Sequence, residues 1–155
     1  MPPAEVANLG LARPPLIYLG SIGLGLTIHW FWPAQWLPVS IGMPSGVVLV
    51  LLAIALFISS VRTFRKAGTP VPGNQPTTVI VRAGPYGFSR NPIYVAFTLF
   101  HLGLAASFNS VGVLVMLLPA LALMVLVVVP REERYLEARF AAEYQRYKRD
   151  VRRWL

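Results

Sequence analysis

Cysteine is absent from this sequence, which excludes disulfide bonds, thiolate nucleophiles and cysteine-ligated metal sites. Histidine is scarce: the two in the chain, His29 and His101, stand in different apolar segments, which is no recognised metal-ligand spacing. We therefore expect no metal partner. Charge is also sparse, since charged residues make up 13% of the chain and hydrophobic residues 55%, with a mean hydropathy of +0.59. So few, clustered charges do not supply the polar exterior that a soluble domain of 155 residues needs, and we expect an integral membrane protein.

Four apolar segments follow one another along the chain, and each is bounded by polar or proline-rich sequence. They cover residues 16–32, 39 or 47–61, 93–108 and 111–129. A spanning helix needs roughly 20 mostly apolar residues, so the fourth segment qualifies outright and the others need neighbouring helices. We predict an all-α membrane protein with about four transmembrane helices. An N-terminal two-helix membrane segment, 1–61, precedes the remainder, 62–155. Two points stay open. One is whether residues 38–45 span the membrane, re-enter it or lie flat on it. The other is whether the first two helices contribute to a site or only complete the bundle.

Basic residues are concentrated between the second and third apolar segments and after Pro130. The first group is Arg62, Arg65, Lys66, Arg82 and Arg90, and eight more basic residues follow Pro130. Residues 31–60 carry no charge. The positive-inside rule therefore predicts that both termini and the central loop are cytoplasmic. The net charge of +8 is explained by the anionic inner leaflet, so no nucleic-acid partner is expected. Residues 1–15 lack the features of a secretory signal, so we expect the mature protein to begin with them.

The sequence after Pro130 predicts an amphipathic cytoplasmic helix that starts at this proline and lies on the inner leaflet. One apolar stripe recurs every three or four residues: Leu136, Phe140, Tyr144, Tyr147, Val151 and Trp154. Basic side chains flank it: Arg139, Arg146, Lys148, Arg149, Arg152 and Arg153. A membrane anchor does not explain the adjacent carboxylates of Glu132 and Glu133. They are candidate site residues, and the structural alternative is that they complement the helix dipole and pair with neighbouring arginines.

The stretch GPYGFSRNPIY, residues 84–94, stands where the chain enters the third apolar segment. Pro92 suits the first turn of a helix, whose free N–H groups attract an anion, and Arg90 adds a formal charge there. The third and fourth segments form a tight hairpin, which brings this stretch and the acidic pair to the same membrane face. The residues alone thus predict a pocket for a zwitterionic ligand, with an anion seat at Arg90 and Asn91 and walls from Tyr86 and Tyr94.

Two motifs in this order, GPYGFSRNPIY and PREERYLEARFAAEYQRYKRDV, resemble the isoprenylcysteine carboxyl methyltransferase and phospholipid methyltransferase group of integral-membrane methyltransferases. The stretch AGTPVPGNQPTTVIVRAGPY is similar to the lead-in of bacterial members, and the resemblance covers about residues 62–153. It implies S-adenosylmethionine as methyl donor at the cytoplasmic end of the last helices, and a lipophilic acceptor that arrives from the bilayer. The anion-seat argument contributes Arg90, and the resemblance implies the other cofactor-binding residues. Together they are Thr78, Val79, Ile80, Val81, Tyr86, Arg90, Asn91, Pro92, Ile93, Tyr94 and Glu132.

The chain also departs from this family pattern. Asn91 replaces a histidine and Val128 an arginine that are common in the prenylcysteine enzymes, which disfavours a prenylcysteine acceptor unless Arg131 or its neighbour Arg134 substitutes. Ala141 stands in place of a usual glycine.

Four residues are candidates for direct roles in the reaction. Glu132 and Glu133 are the candidate catalytic residues, because an amine acceptor must lose a proton. Arg131 and His101 are the candidate substrate residues, and for His101 an interhelical hydrogen bond is the favoured alternative.

These observations predict an S-adenosylmethionine-dependent methyltransferase that acts on a lipid or lipophilic small molecule by in-line methyl transfer. The alternative is a non-enzymatic four-helix membrane protein that binds anionic lipid or a partner protein. That alternative explains the charge asymmetry equally well, but it leaves the order and spacing of the two motifs unexplained.

Overall fold

The computed structural model describes residues 13–70 and 76–155. Within these ranges the chain is helical and contains no β-strand, so the predicted all-α class is confirmed. The helices are α1 (Pro14–Phe31), α2 (Val39–Lys66), α3 (Pro92–Ser107), α4 (Val111–Leu123) and α5 (Val129–Asp150), with a 3₁₀ turn at Gly84–Gly87 and a π turn at Met124–Val128. The expected start of the mature protein and part of the proline-rich loop, residues 1–12 and 71–75, lie outside the described residues.

Two helices of the described chain are long and apolar enough to cross a membrane. They are Val39–Lys66 and the continuous helix Val111–Asp150, and Pro92–Ser107 is a shorter apolar helix. Since α2 is one helix from Val39, residues 39–45 belong to it and the second apolar segment begins at Val39. The predicted boundary between the N-terminal two-helix segment, 1–61, and the remainder, 62–155, falls inside α2. This division of the chain stays a prediction.

Small residues let the helices approach closely where α1 packs along α4 and α2 along α3. A Cβ added at Gly25 of α1 would lie 2.5 Å from the Cα of Val113. One added at Gly46 of α2 would lie 2.6 Å from the carbonyl oxygen of Gly103 in α3. The backbones therefore meet at distances that larger side chains would prevent.

Asn109 ties the α3–α4 hairpin to the α1–α2 connection. Its φ of 46° lies in the left-handed region, which asparagine tolerates better than most residues. Its Oδ1 accepts hydrogen bonds from the backbone N–H groups of Trp36 and Leu37, at 3.1 and 2.9 Å. Ser110 caps α4, because its Oγ accepts the N–H of Val113 at 3.1 Å. The expected tight hairpin is thus present, with side-chain hydrogen bonds at both of its turn positions.

The helix predicted from Pro130 is present as α5, which begins at Val129 with Pro130 in its first turn, but it is not separated from α4. The helix continues from α4 into α5 through the π turn, in which the N–H of Val129 bonds to the carbonyl of Met124. Proline has no N–H to donate, and its ring crowds the carbonyl four residues earlier. A wider turn immediately before Pro130 relieves that crowding without ending the helix.

The helix axis breaks instead at Ala141, whose φ and ψ are 41° and −114°. The predicted location of the apolar stripe also needs correction, because much of it is buried inside the protein instead of lying on a leaflet. Tyr144, Tyr147 and Val151 form a buried cluster against Ile80 of the loop before the 3₁₀ turn. Hydrophobic side chains favour any water-free surface, and here the loop supplies one.

Candidate active site

A cavity of about 560 Å³ lies between the start of α1, the loop 77–81, the stretch 84–94 and the first turns of α5. Its volume is in the range of small-molecule sites, which are mostly apolar with a few placed polar groups. All of the predicted cofactor residues except Thr78 line it: Val79, Ile80, Val81, Tyr86, Arg90, Asn91, Pro92, Ile93, Tyr94 and Glu132. The structure therefore brings the two sequence-distant motifs to one cavity.

The 3₁₀ turn Gly84–Gly87 directs Tyr86 into this region. Gly84 has a φ of 54°, a conformation that suits a residue without a side chain. The ring of Tyr86 is 5% exposed and packs edge-on against Phe64 of α2, with ring centroids 4.7 Å apart. Beyond the turn, Ser89 Oγ accepts the N–H of Asn91 at 3.1 Å, and α3 begins at Pro92 as expected. The loop thus delivers Tyr86 and Asn91 to the cavity wall in defined positions.

Glu133 is the centre of an ion-pair network. Its Oε1 lies 2.9 Å from Arg90 Nη1, and its Oε2 lies 2.7 Å from Arg153 Nη2. Arg153 Nε also donates to Oε1 at 3.0 Å, so Arg153 grips both oxygens. Arg90 Nη1 donates in addition to the hydroxyl of Tyr144 at 3.4 Å. Glu133 is therefore held in place by charge-assisted hydrogen bonds on both of its oxygens.

Glu132 has a different environment from its neighbour. It accepts a hydrogen bond from the hydroxyl of Tyr94, and its remaining exposed surface lines the cavity. The charge-free part of the helix ends before Arg131, so Glu132 lies beyond the apolar span. Burial raises the pKa of Glu132 to about 7, helped by the charge of Glu133 and opposed by the Tyr94 hydrogen bond. A carboxyl with this pKa exchanges its proton near neutral pH.

Three further tyrosines, Tyr86, Tyr144 and Tyr147, line the cavity. Tyr147 donates its hydroxyl hydrogen to the carbonyl of Tyr86 at 2.9 Å, which fastens α5 to the 3₁₀ turn. Burial raises the pKa of Tyr86 and of Tyr147 well above the usual range, and that of Tyr144 to about 12. These phenols therefore stay neutral and act as hydrogen-bonding groups.

Three predicted site residues lie apart from the cavity lining. The N–H of Thr78 donates to Thr69 Oγ1 at 2.9 Å and organises the loop, while Arg131 is exposed on α5. His101 is buried between helices: its Nε2 lies 2.8 Å from the carbonyl of Val113 and its Nδ1 3.4 Å from Ser21 Oγ. This geometry matches the interhelical hydrogen bond that the sequence suggested for His101. The substrate roles of Arg131 and His101 remain predictions, and the cavity does not support them.

Sequence reasoning missed the part of the lining that comes from the first three helices. Arg13 and Leu16 at the start of α1, Phe57 of α2 and Phe97 of α3 all face the cavity. Apolar residues inside apolar segments give no signal that separates a cavity wall from a lipid-facing surface. The first two helices thus contribute to the site, which the sequence had left open. Arg153 was missed as well, because it looked like one of several basic flanks of an amphipathic helix.

Comparisons with known proteins agree with this geometry. The model of the phospholipid methyltransferase family matches residues 41–143, which include α2, α3, α4 and the acidic pair. The chain is 36% identical over 126 residues to the cobalt-zinc-cadmium resistance protein CzcN of Cupriavidus metallidurans, covering 76% of this chain and 51% of that protein. It is 63% identical over 27 residues to an uncharacterized protein of Haemophilus influenzae, covering 17% of this chain and 43% of that one.

The chain spans about half the length of the curated relatives it matches. No solved structure matches it. The described residues contain no group of three or more histidine, aspartate or glutamate side chains arranged to hold a metal ion. The family match covers well over half of the sequence and includes the first motif and the part of the second that runs to residue 143. The chain belongs to the phospholipid methyltransferase family.

Proposed function

We propose that this protein is an integral-membrane methyltransferase that uses S-adenosylmethionine to methylate a lipophilic acceptor at the cytoplasmic membrane face. The observation that carries the proposal is the single cavity in which polar groups from both motifs meet an apolar wall from α1, α2 and α3. A methyl donor with charged ends needs the polar groups, and a lipid-like acceptor needs the apolar wall.

The cavity residues fit such a cofactor. Arg90 lines the cavity with a side chain that is 9% exposed, and its Nε is buried with no hydrogen-bond partner among the described residues. A buried donor of this kind is expected where an anionic ligand group completes the site. Arg90 and Asn91 would hold the carboxylate end, and the segment 79–81 with Tyr86 would flank the apolar and aromatic portions.

The bound cofactor supplies an electrophilic methyl group on a sulfonium sulfur, and the protein's task is alignment and proton handling. Alignment of reactants can contribute up to about 10 kcal/mol to lowering a barrier. Glu132 faces the cavity and accepts the Tyr94 hydrogen bond, so it is placed to take a proton from an amine or hydroxyl acceptor. Glu133 is engaged by two arginines, and we assign it to holding Arg90 instead of to proton transfer.

An aromatic series supports acceptor entry from the bilayer side. Phe57 of α2 is 38% exposed on the helix surface, and its ring centroid lies 5.7 Å from that of Phe97. Phe97 stacks on Tyr94 at 6.5 Å, and Tyr94 reaches Glu132. A lipophilic acceptor that follows these rings passes from an exposed apolar surface to the carboxyl of Glu132.

The proposed topology has four spans, with both termini cytoplasmic in a bacterial inner membrane. Large apolar side chains are exposed on several helices, including Leu19 of α1, Leu51 of α2 and Leu118 of α4, at 63%, 61% and 66%. Such surfaces suit contact with lipid. The shorter helices α1 and α3 are accommodated in the membrane because small residues let them pack closely against α4 and α2.

Calorimetric titration of the detergent-purified protein with S-adenosylmethionine and S-adenosylhomocysteine tests the proposal. We expect saturable binding in the wild type and in Glu143→Ala, an exposed carboxylate on the same helix, and much weaker binding in Glu132→Ala. Transfer of a labelled methyl group into organic-extractable lipid then tests the acceptor class. If a folded wild type binds neither compound, the methyltransferase proposal is wrong and a lipid-binding role takes its place.

A further inference from the structure

The last residues of the chain fold back onto the cavity. Helix α5 ends at Asp150, and Val151 is extended, with φ and ψ of −127° and 132°. We call residues 151–154 the C-terminal strap. The carbonyl of Arg152 accepts the N–H of Arg90 at 2.9 Å, and that of Arg153 accepts Asn91 Nδ2 at 2.8 Å. The strap therefore holds both residues of the anion seat by its backbone.

Two apolar contacts anchor the strap at either end. Val151 is buried with Tyr144 and Tyr147, and Trp154 packs against the main core that includes Ile93 and Tyr94. Removing these apolar side chains from water is favourable and helps to keep the short segment in place. The strap is thus an ordered part of the fold, and Arg153 lies between its anchors.

The side chain of Arg153 controls what Glu133 can do. It occupies Oε2 of Glu133 at 2.7 Å and shares Oε1, at 3.0 Å, with Arg90. Glu133 therefore meets Arg90 through one nitrogen, Nη1, instead of through a two-pronged pair. Two arginines and one glutamate leave this cluster with one net positive charge beside the cavity. Without Arg153, both oxygens of Glu133 could pair with Arg90 and neutralise it.

We propose that Arg153 is a positioning residue of the ligand site: by occupying Glu133, it keeps donors of Arg90 available for an anionic group bound in the cavity. This inference rests on the proposed function, under which that group is the carboxylate of the cofactor's amino-acid end. The side chain of Arg90 is more than nine-tenths buried, lines the cavity and has an Nε without a partner among the described residues. A carboxylate is the complementary partner for such a guanidinium.

Two ligands that differ at one end test this role by calorimetry. S-adenosylhomocysteine carries the amino-acid carboxylate, whereas methylthioadenosine shares the nucleoside and thioether but lacks that end. We expect Arg153→Ala to weaken S-adenosylhomocysteine binding roughly tenfold or more, because a charge-assisted hydrogen bond is lost, and to leave methylthioadenosine binding unchanged. Arg153→Lys, which keeps the charge, should recover part of the loss.

Arg149→Ala is the matched control, since it removes the same charge from an exposed side chain near the end of α5. It should bind both ligands like the wild type. If Arg153→Ala fails to fold, Arg153→Gln and its control Arg149→Gln are titrated with the same two ligands instead. Equal weakening of both ligands by the Arg153 variants would show a merely structural role and overturn the proposal. Unchanged binding of both would overturn it too, with the proposed function intact. A folded wild type that binds neither ligand would overturn the proposed function and this inference together.

Discussion

Glu132 makes the stability of this protein depend on pH in an unusual direction. Burial, with the nearby charge of Glu133, raises the pKa of Glu132 from 4.5 to about 7, against the opposing hydrogen bond from Tyr94. The folded state then binds a proton more tightly than the unfolded chain does. Stability is therefore full below pH 4.5 and is lost as the pH rises towards 7, the reverse of a salt-bridged carboxylate.

The size of the loss follows from the two pKa values. Treated as a single titrating group, Glu132 lowers the free energy of unfolding by about 2–3 kcal/mol between pH 5 and pH 8. Glu132→Gln replaces the carboxyl with a neutral group of the same shape, which cannot ionise. We expect the variant to be close to the wild type at pH 5 and more stable than it at pH 8 by about 3 kcal/mol.

Thermal unfolding in detergent, followed by tryptophan fluorescence at both pH values, measures this difference. Glu143→Gln, at an exposed position, is the control. Its unfolding temperature should differ from that of the wild type by the same amount at both pH values. Tyr94→Phe removes the hydrogen bond that lowers the pKa of folded Glu132, so the loss of stability should begin at the same pH but continue to higher pH than in the wild type. A gap between wild type and Glu132→Gln that is constant with pH would refute the assignment of a raised pKa to this carboxyl.

Two further predictions concern the backbone. Ala141 has a φ of 41°, which costs a residue with a side chain about 1 kcal/mol or more, so Ala141→Gly should raise the unfolding temperature. Ala138→Gly, at an ordinary helical position, should lower it by a comparable amount. Gly46→Leu should prevent α2 from packing on α3 and abolish folding, as judged by size-exclusion profile, because its Cβ alone meets Gly103 backbone at 2.6 Å. Gly20→Leu is its control, since a Cβ there meets no described atom within 4 Å.

Much of the helical framework could be predicted because it depends on local properties. Hydropathy predicts apolar segments at residues 39 or 47–61 and 93–108, which correspond to α2 and α3, and Pro92 marks the start of α3 through its fixed φ and missing N–H. The same rule correctly predicts Pro130 in the first turn of α5, but it does not show that α4 continues into α5. The π turn before it compensates within the helix, and a π turn has no simple composition signature.

The C-terminal strap could not be predicted, because its hydrogen-bond partners Arg90 and Asn91 lie about sixty residues away in sequence.

The partner of the apolar stripe on α5 could not be predicted either. Apolar periodicity correctly grouped Tyr144, Tyr147 and Val151, yet it does not say what covers them. A stripe of this kind suits a leaflet and a protein loop equally well, since both remove it from water. The loop is the partner here because Tyr147 also finds a hydrogen-bond acceptor in the carbonyl of Tyr86. A buried tyrosine needs such a partner for its hydroxyl.

Glu132 and Glu133 show why adjacent, chemically identical residues need a structure to be told apart. Neighbours on an α-helix point about 100° apart, so two consecutive carboxylates cannot share one environment. One of them meets Tyr94 and the cavity, and the other meets Arg90 and Arg153. Glu133 is thereby held between two arginines, whereas Glu132 is buried against a single phenol, and this burial raises the pKa of Glu132 to about 7. Under the proposed function, the acidic pair therefore divides its work: Glu133 holds the arginines that suit an anion, and Glu132 handles a proton.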